Sequence, residues 1–475
     1  MYISLRFKAY TTITLVVLLA LSLTFVIVSK STVHASGPNI TLLPKTGSPN
    51  INVQVTGKQF GVSETVTLTF DTTPFPNTAT SDNIGAFTAS VTIPKTALPG
   101  NHTISATGQT SNITAQALYL VATTWPSFGF NTQNSHYNNY ENVISTTNIT
   151  TLRADWSFTT GGSVHSAVTV DTKAAYVGSG NGKLYAFDPN TGAPLWTATT
   201  GGAITSTPAA YGANVYVGSQ DGKVYAFNAK TGGTLVWSFP TGGPVNSSAV
   251  IYKGTLYIGS SDHNVYAINA TTGAQIWKVT TGGAVNSSPA IYNGVLYIGS
   301  EDDKLYAINA LTGGMPLWAA ITGAAIESSP SADNGRVFVG SLDHKLYALD
   351  ASTGAVDWFG KTGGPITASP ATARGVVYIT SADHNIYAFN ENTAHQYWRK
   401  PTGAAMKSAP TVANNLIYVT SEDNKLYVYN HDGHPQVILA LPNTGIIDAQ
   451  ATVANGLVYV GSMTANVYVF HVPGH

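Results

Sequence analysis

Residues 297 to 322, Tyr-Ile-Gly-Ser-Glu-Asp-Asp-Lys-Leu-Tyr-Ala-Ile-Asn-Ala-Leu-Thr-Gly-Gly-Met-Pro-Leu-Trp-Ala-Ala-Ile-Thr, are one turn of a motif that the chain repeats eight times. The aromatic residue that opens it falls at 176, 216, 257, 297, 338, 378, 418 and 459, a period of 40 or 41 residues. Such a period means an array of one supersecondary unit, stacked or circular. Within the unit, Val-Tyr-Val-Gly-Ser and Lys-Leu-Tyr-Ala-Ile alternate with period two around a polar break, which reads as a hairpin. The break carries Asp221-Gly222, Asp262-His263, Asp302-Asp303, Asp343-His344, Asp383-His384 and Asp423-Asn424. Asp followed by Gly or Asn suits a tight turn that needs positive φ.

A Thr-Gly pair follows (191–192, 231–232, 272–273, 312–313, 353–354), and then a third run that ends on Trp196, Trp237, Trp277, Trp318, Trp358 or Trp398. A Thr-Gly-Gly or Thr-Gly-Ala link and a short segment such as Val285-Asn286-Ser287-Ser288-Pro289-Ala290-Ile291 close the unit. Four short strands per unit of this length is the pattern of a propeller blade. Position by position, the block resembles the PQQ-type (pyrroloquinoline-quinone-like) propeller repeat. That is the eight-bladed fold of quinoprotein dehydrogenases and of a bacterial outer-membrane assembly lipoprotein that lacks the cofactor. The resemblance covers roughly residues 125 to 475. It implies an all-β chain whose main part, 151–475, is an eight-bladed propeller of four-stranded blades.

Closure follows from a mismatch between the eight hairpins and the repeat tryptophans. Trp156 precedes the first hairpin, the seventh unit has His431-Asp432-Gly433-His434-Pro435-Gln436-Val437 in place of its Trp, and the chain stops soon after the eighth hairpin. Leu152 to Phe158 is therefore expected as the outermost strand of the last blade, whose three inner strands come from the C-terminus. A ring joined this way leaves no open edge between its first and last blades.

Upstream, Arg6 and Lys8 precede an uncharged apolar stretch from Thr11 to Val28, followed by Val33-His34-Ala35. This order predicts a secretory signal over 1–35, the rival being an uncleaved membrane anchor. Either places the remainder outside the cytoplasm, secreted or at the cell surface, with a membrane as partner only if the segment stays. Residues 38–122 carry short alternating runs separated by turn residues, which predicts a β-sandwich of immunoglobulin-like class. Gly57-Lys58-Gln59-Phe60 and Ser81-Asp82-Asn83-Ile84-Gly85-Ala86-Phe87 resemble the hairpin marks of such modules in bacterial extracellular proteins. Residues 123–150 form an aromatic lead-in, expected to wrap over the first blade as in the resembled family. Its Trp125, Phe128, Phe130, Tyr137 and Tyr140 are read as packing on the propeller.

Charged residues make up 9% of the chain and the formal net charge is −1, so no long-range field draws it to nucleic acid. There is no cysteine, which excludes a disulfide framework, a thiolate metal site, a Cys nucleophile and a lipid-modified Cys. The resembled dehydrogenases hold PQQ under a vicinal Cys pair and over a Trp floor, with an Asp base and a bound Ca²⁺. The Cys pair is impossible here and the repeat tryptophans occupy outer-strand slots. PQQ with Ca²⁺ is accordingly disfavoured, no metal site is assigned, and the recurring turn aspartates are read as structural.

The residue expected to begin each innermost strand is polar and differs between units: His165, Thr205, Asn246, Asn286, Glu327, Thr367, Lys407 and Asp448. These eight are the candidate ligand-binding ring at the channel mouth, with Asp448 beside both His165 and Lys407. The expected function is a non-catalytic binding or assembly scaffold for a protein, peptide or small polar ligand. The alternatives are a PQQ-dependent oxidoreductase, and cell-wall or glycan attachment through residues 38–122.

Overall fold

The computed structural model describes residues 37–442 and 445–474. The predicted signal segment lies outside the described residues. Residues 39–121 form two sheets that share one core, in which Val53, Val55 and Val91 of one sheet meet Val66, Leu68 and Ile104 of the other. Asn52–Lys58, Thr65–Phe70, Phe87–Thr92 and Gly100–Gly108 match the four alternating runs, and Asn39–Leu43 and Thr114–Val121 add to them. Glu64 is buried where its first strands meet. Its carboxylate accepts bonds from the amides of Gly61, Thr110 and Ser111 at 2.6, 2.9 and 2.8 Å, and the Ser111 hydroxyl adds another. These donors hold its pKa down at about 2.

Residues 153–471 close into eight sheets, each built on four antiparallel strands running from the channel outward. In blade 3 these are Val250–Tyr252, Thr255–Ser260, Asn264–Asn269 and Gln275–Thr280. Blade 8 takes its inner three strands from Thr452–Ala454, Leu457–Ser462 and Asn466–His471, and its outer strand is Arg153–Thr159. The join pairs Arg153 with His471 and Thr159 with Asn466. Tyr459 reinforces it, donating its hydroxyl to the Pro189 carbonyl of blade 1 at 2.9 Å.

The repeat motif is the joint between blades. Trp277 Nε1 donates to the Ala310 carbonyl of the next blade at 3.0 Å, and its ring lies where a Cβ on Gly313 would stand, at 2.6 Å. Trp156, Trp196, Trp237, Trp318 and Trp398 sit likewise on Gly192, Gly233, Gly273, Gly354 and Gly433. Each of these glycines has positive φ, between 62° and 79° for the six, so glycine best suits both the backbone and the contact. The missing seventh Trp now has a reason. Blade 8 takes its outer strand from the far end of the chain, so no Thr-Gly turn follows its third strand for a Trp to cover. Val437 stands in the slot, and Ile149 of the lead-in and Leu152 just after it pack there with Val437 and Leu439.

The lead-in does more than wrap over one blade. It runs round the channel axis, and its backbone bonds the inner strands of blade after blade. Trp125 bridges Val170, and the amides of Ala210, Ile291, Ala332, Thr372 and Val412 donate to Pro126, Thr132, Gln133, Ser135 and His136. Asn138 donates to the Val453 carbonyl of blade 8 at 2.9 Å. Trp125 makes the contact with blade 1 that was expected, and the segment goes on to the other blades, a reach for which a stretch without the repeat pattern carries no sequence sign. Trp125 is fully buried against Phe130, as packing requires.

Candidate functional site

The Thr-Gly-Gly links and the Asp turns meet on one face. Asp262 Oδ2 accepts from the Gly242 amide at 2.6 Å and from the Tyr266 hydroxyl at 2.6 Å, and Asp302, Asp343 and Asp423 repeat the arrangement. The residue after each Asp has positive φ, whether Gly222 (77°), His263 (69°), Asp303 (69°) or His384 (67°). The turn aspartates thus tie one blade's outer link to the next blade's hairpin. Among the described residues, no group of three or more His, Cys, Asp or Glu is placed to hold a metal.

On that face the structure brings all eight candidate residues to a single cavity of about 190 Å³ on the channel axis. They do not begin the innermost strands, as the sequence suggested. Each lies four residues before the first paired one, as Asn286 does before Ala290 and Asp448 before Thr452. In the intervening Ser-Ser-Pro segment side chains replace the ladder: the Ser287 hydroxyl accepts the Gly299 amide of its own hairpin, and the Ser288 hydroxyl accepts the Ser248 amide of the preceding blade.

The rim divides into two halves. On one, Thr205 donates to Asn246 Oδ1 at 3.1 Å and Asn246 Nδ2 to Asn286 Oδ1 at 3.1 Å. Asn286 Nδ2 passes the chain to Glu301 Oε1 at 2.6 Å. On the other half, His165 Nδ1 lies 2.7 Å from Asp448 Oδ2, across the ring closure as expected. That hydrogen bond raises the His165 pKa against the opposing effect of burial. Lys407 lies close enough to Asp448 to feel its charge, as expected of neighbours, and its Nζ pairs with Glu422 Oε1 at 2.8 Å. The long lysine stem reaches the hairpin turn of its own blade, where Glu422 stands beside Asp423. Glu327 is exposed at the rim, and desolvation there, followed by repulsion from Glu301, raises its pKa even with Lys407 opposing. Thr367 completes the lining.

Two residues deeper, roughly 7 Å down an extended chain, is a second ring that the sequence reading missed. Thr207, Ser248, Ser288, Ser329 and Ser369 each accept the backbone amide of the preceding blade's equivalent residue, at 2.8 to 3.2 Å. The signal was present as the second Ser of each Ser-Ser-Pro or its equivalent, but it stood out only as part of the short segment that closes the unit. Gln450 takes this place in blade 8 and bonds His136 of the lead-in at 2.8 Å. Phe128 also lines the cavity and packs edge-on against His136, at 5.1 Å between rings. His136 is wholly buried, which drives its pKa down to about 3 and keeps the ring neutral. The channel is therefore a funnel, open through the polar rim and floored by the lead-in.

Eight four-stranded blades, six of their joints locked by Trp on Gly, around such a funnel define a propeller of the PQQ-like repeat class. The family model for outer membrane protein assembly factor BamB matches at 141–278, 231–318, 261–369, 312–401 and 360–470, well over half of the 475 residues. The chain belongs to this family. Among solved structures it is similar to BamB from Moraxella catarrhalis, with 20% identity and a TM-score of 0.58 over 68% of this chain and 98% of that one. It is also similar to a europium-containing methanol dehydrogenase, with 13% identity and a TM-score of 0.64 over 74% of this chain and 98% of that one. For the quinohemoprotein alcohol dehydrogenase from Comamonas testosteroni the figures are 15% and 0.64, over 74% and 81%. At these identities the likeness is one of fold. No curated protein matches the chain.

Proposed function

We propose that the protein is a non-catalytic binding or assembly platform that works outside the cytoplasm and recognises a protein or peptide at the funnel mouth. The observation that carries this reading is the convergence of eight polar side chains of six different types on one axial cavity, although nothing in a blade's own packing requires them to differ. The family's description as an assembly factor favours a protein partner. Residues 38–122 are read as an immunoglobulin-like spacer, and 1–35 as the segment that directs export.

What supports a cofactor-free reading is the fit of the residues present. Pockets that enclose a drug-sized molecule or cofactor run to about 300–1,000 Å³, and this funnel holds about 190 Å³. No Cys exists to cover a quinone. The repeat tryptophans stand on glycines at the outer joints, and Trp125 is buried in the lead-in. Adding PQQ and Ca²⁺ to the purified protein is expected to give no quinone absorbance and no dye reduction; either signal would reverse this part of the reading.

The platform itself is tested by pull-down from the protein's own envelope extract with wild type and with the double variant Glu327→Ala, Lys407→Ala. Loss of a partner from the variant is expected. A partner set unchanged by the double substitution would contradict recognition at the mouth.

A further inference from the structure

The face opposite the mouth carries a second cavity, of about 740 Å³, between the lead-in and the far ends of the inner strands of blades 4 to 6. That volume falls within the range of about 300–1,000 Å³ that encloses small ligands. Among the described residues, no Leu, Ile, Val or Met lines it. Its apolar surface is the rings of Phe130, Tyr137, Tyr140 and Tyr292, with only Pro and Ala between them.

Tyrosine is not a requirement of the repeat at this place. The innermost strand ends on Tyr211, Tyr252 and Tyr292 in blades 2 to 4, on Asp333 in blade 5, and on Ala373, Ala413 and Ala454 in blades 6 to 8. Tyr211 is 49% exposed, and Tyr252 and Tyr292 pack only part of their rings on the blade. The fold accepts a methyl group here, and three adjacent blades present a phenol.

Polar groups of the cavity are free to bond a guest. Asp333 forms no ion pair among the described residues; its half-buried carboxylate accepts the Asn334 amide alone, and burial raises its pKa. Arg374 is already held, donating Nε to the Tyr137 hydroxyl at 3.1 Å and Nη1 to Asn415. Gln133 Nε2, the Asn139 side chain and the Tyr140 hydroxyl make no hydrogen bond among the described residues, and all three residues are half-buried or exposed. The Gln133 backbone is fixed meanwhile, its carbonyl accepting the Ala332 amide at 2.9 Å.

These features select among ligand classes. One carboxylate against one guanidinium leaves the wall without net charge, which suits neither a nucleic acid nor a cation. No aliphatic pocket waits for the apolar side chain that anchors a peptide. Ring faces beside amide and carboxylate groups fit a molecule with apolar C–H faces and a rim of hydroxyls that both donate and accept.

We propose that this cavity is a saccharide site, taking a neutral glycan with one sugar ring against the aromatic wall and its hydroxyls bonded by Asp333, Gln133 and Asn139. The site lies on the other face from the mouth, so it goes beyond the platform reading and does not rest on it.

The test is a ligand-observed NMR titration of the purified chain with cellotetraose, maltotetraose and chitotetraose. Two probes of other classes accompany them, a heparin tetrasaccharide and acetyl-leucyl-tyrosine amide. At least one neutral tetrasaccharide is expected to bind, and Asp333→Ala, Gln133→Ala and Tyr292→Ala should each weaken it about tenfold, as loss of one bond or ring contact implies. Thermal melts check that the variants fold, which the alanines of blades 6 to 8 favour for Tyr292→Ala. No binding of any neutral sugar, or binding untouched by all three substitutions, would overturn the proposal. Loss of sugar binding in the double variant Glu327→Ala, Lys407→Ala would place it at the mouth and overturn the proposal too. Preference for the peptide or the heparin probe would overturn it and make the cavity a protein or polyanion site.

Discussion

Single positions show where this repeat departs from its own rules. Ala394 of blade 6 occupies the joint position held by glycine in blades 1 to 5 and 7, has φ of 58°, and packs in the cluster that contains Trp358. A Cβ in the left-handed region costs about 1–2 kcal/mol, partly offset by the entropy that glycine loses on folding. Ala394→Gly is therefore expected to stabilise the fold by up to about 1 kcal/mol in urea melts.

Three titratable groups give pH dependences of known sign. The pKa of His165 is raised by Asp448, so its contribution is fully present below its ordinary pKa and fades as pH rises through the raised value. His136 is the reverse: with a folded pKa of about 3, stability is present above about pH 6.5 and falls as acid protonates the unfolded ring first. The slope from this one residue is about 1.4 kcal/mol per pH unit below that point, and His136→Asn should remove it. Glu327 carries a raised pKa, which means that the fold disfavours its charge. Glu327→Gln is accordingly expected to raise the melting temperature at neutral pH even as it weakens binding. A drop in melting temperature would assign Glu327 a structural role instead.

At the scale of one element, the joint between blades is the unit of stability. Trp277→Ala empties a buried aromatic site over Gly313 and removes the bond to the Ala310 carbonyl. A loss of about 3–5 kcal/mol is expected. Trp277→Phe keeps ring surface and forfeits mainly the bond, about 1 kcal/mol. Chemical denaturation of the pair separates the two terms, and equal losses would contradict the stacking account.

Joints were legible in the sequence because one residue type does one job at a fixed spacing: Trp on Gly, Asp at a turn with positive φ, an aromatic opening the hairpin. The eight rim positions were legible for the complementary reason, being the slots where the repeat refuses to repeat. Partners across the rim were less so. Lys407 could reach several acids, and only its packing chooses Glu422. The second ring, with Ser248, Ser288 and Ser329, was hidden by its own regularity, since it repeats with the segment that closes each unit. The path of residues 125–138 had no period to betray it, because it pairs with strands far away in the chain.

Across the whole molecule, a ring fails unless its ends meet. Thr159 Oγ1 already lies 2.8 Å from Asn466 Oδ1 at the join, in a chain with no other cysteine to confuse a crosslink. The pair Thr159→Cys, Asn466→Cys is expected to oxidise to a disulfide that closes most of the chain into a loop. Stabilisation of up to about 5 kcal/mol over the reduced form follows from the loop length. Failure to form the bond, judged by gel mobility with and without reductant, would show that the first and last strands are apart.

The sealed ring and its floored channel leave one polar opening, and recognition at that opening is what the functional account stands on. Hydrogen exchange of the protein with and without its captured partner measures this directly. Protection is predicted at the rim segments around Asn246, Asn286, Glu327, Lys407 and Asp448, with the outer strands and residues 39–121 unchanged. Protection confined to the outer strands or to residues 39–121, with the rim exchanging freely, would contradict it.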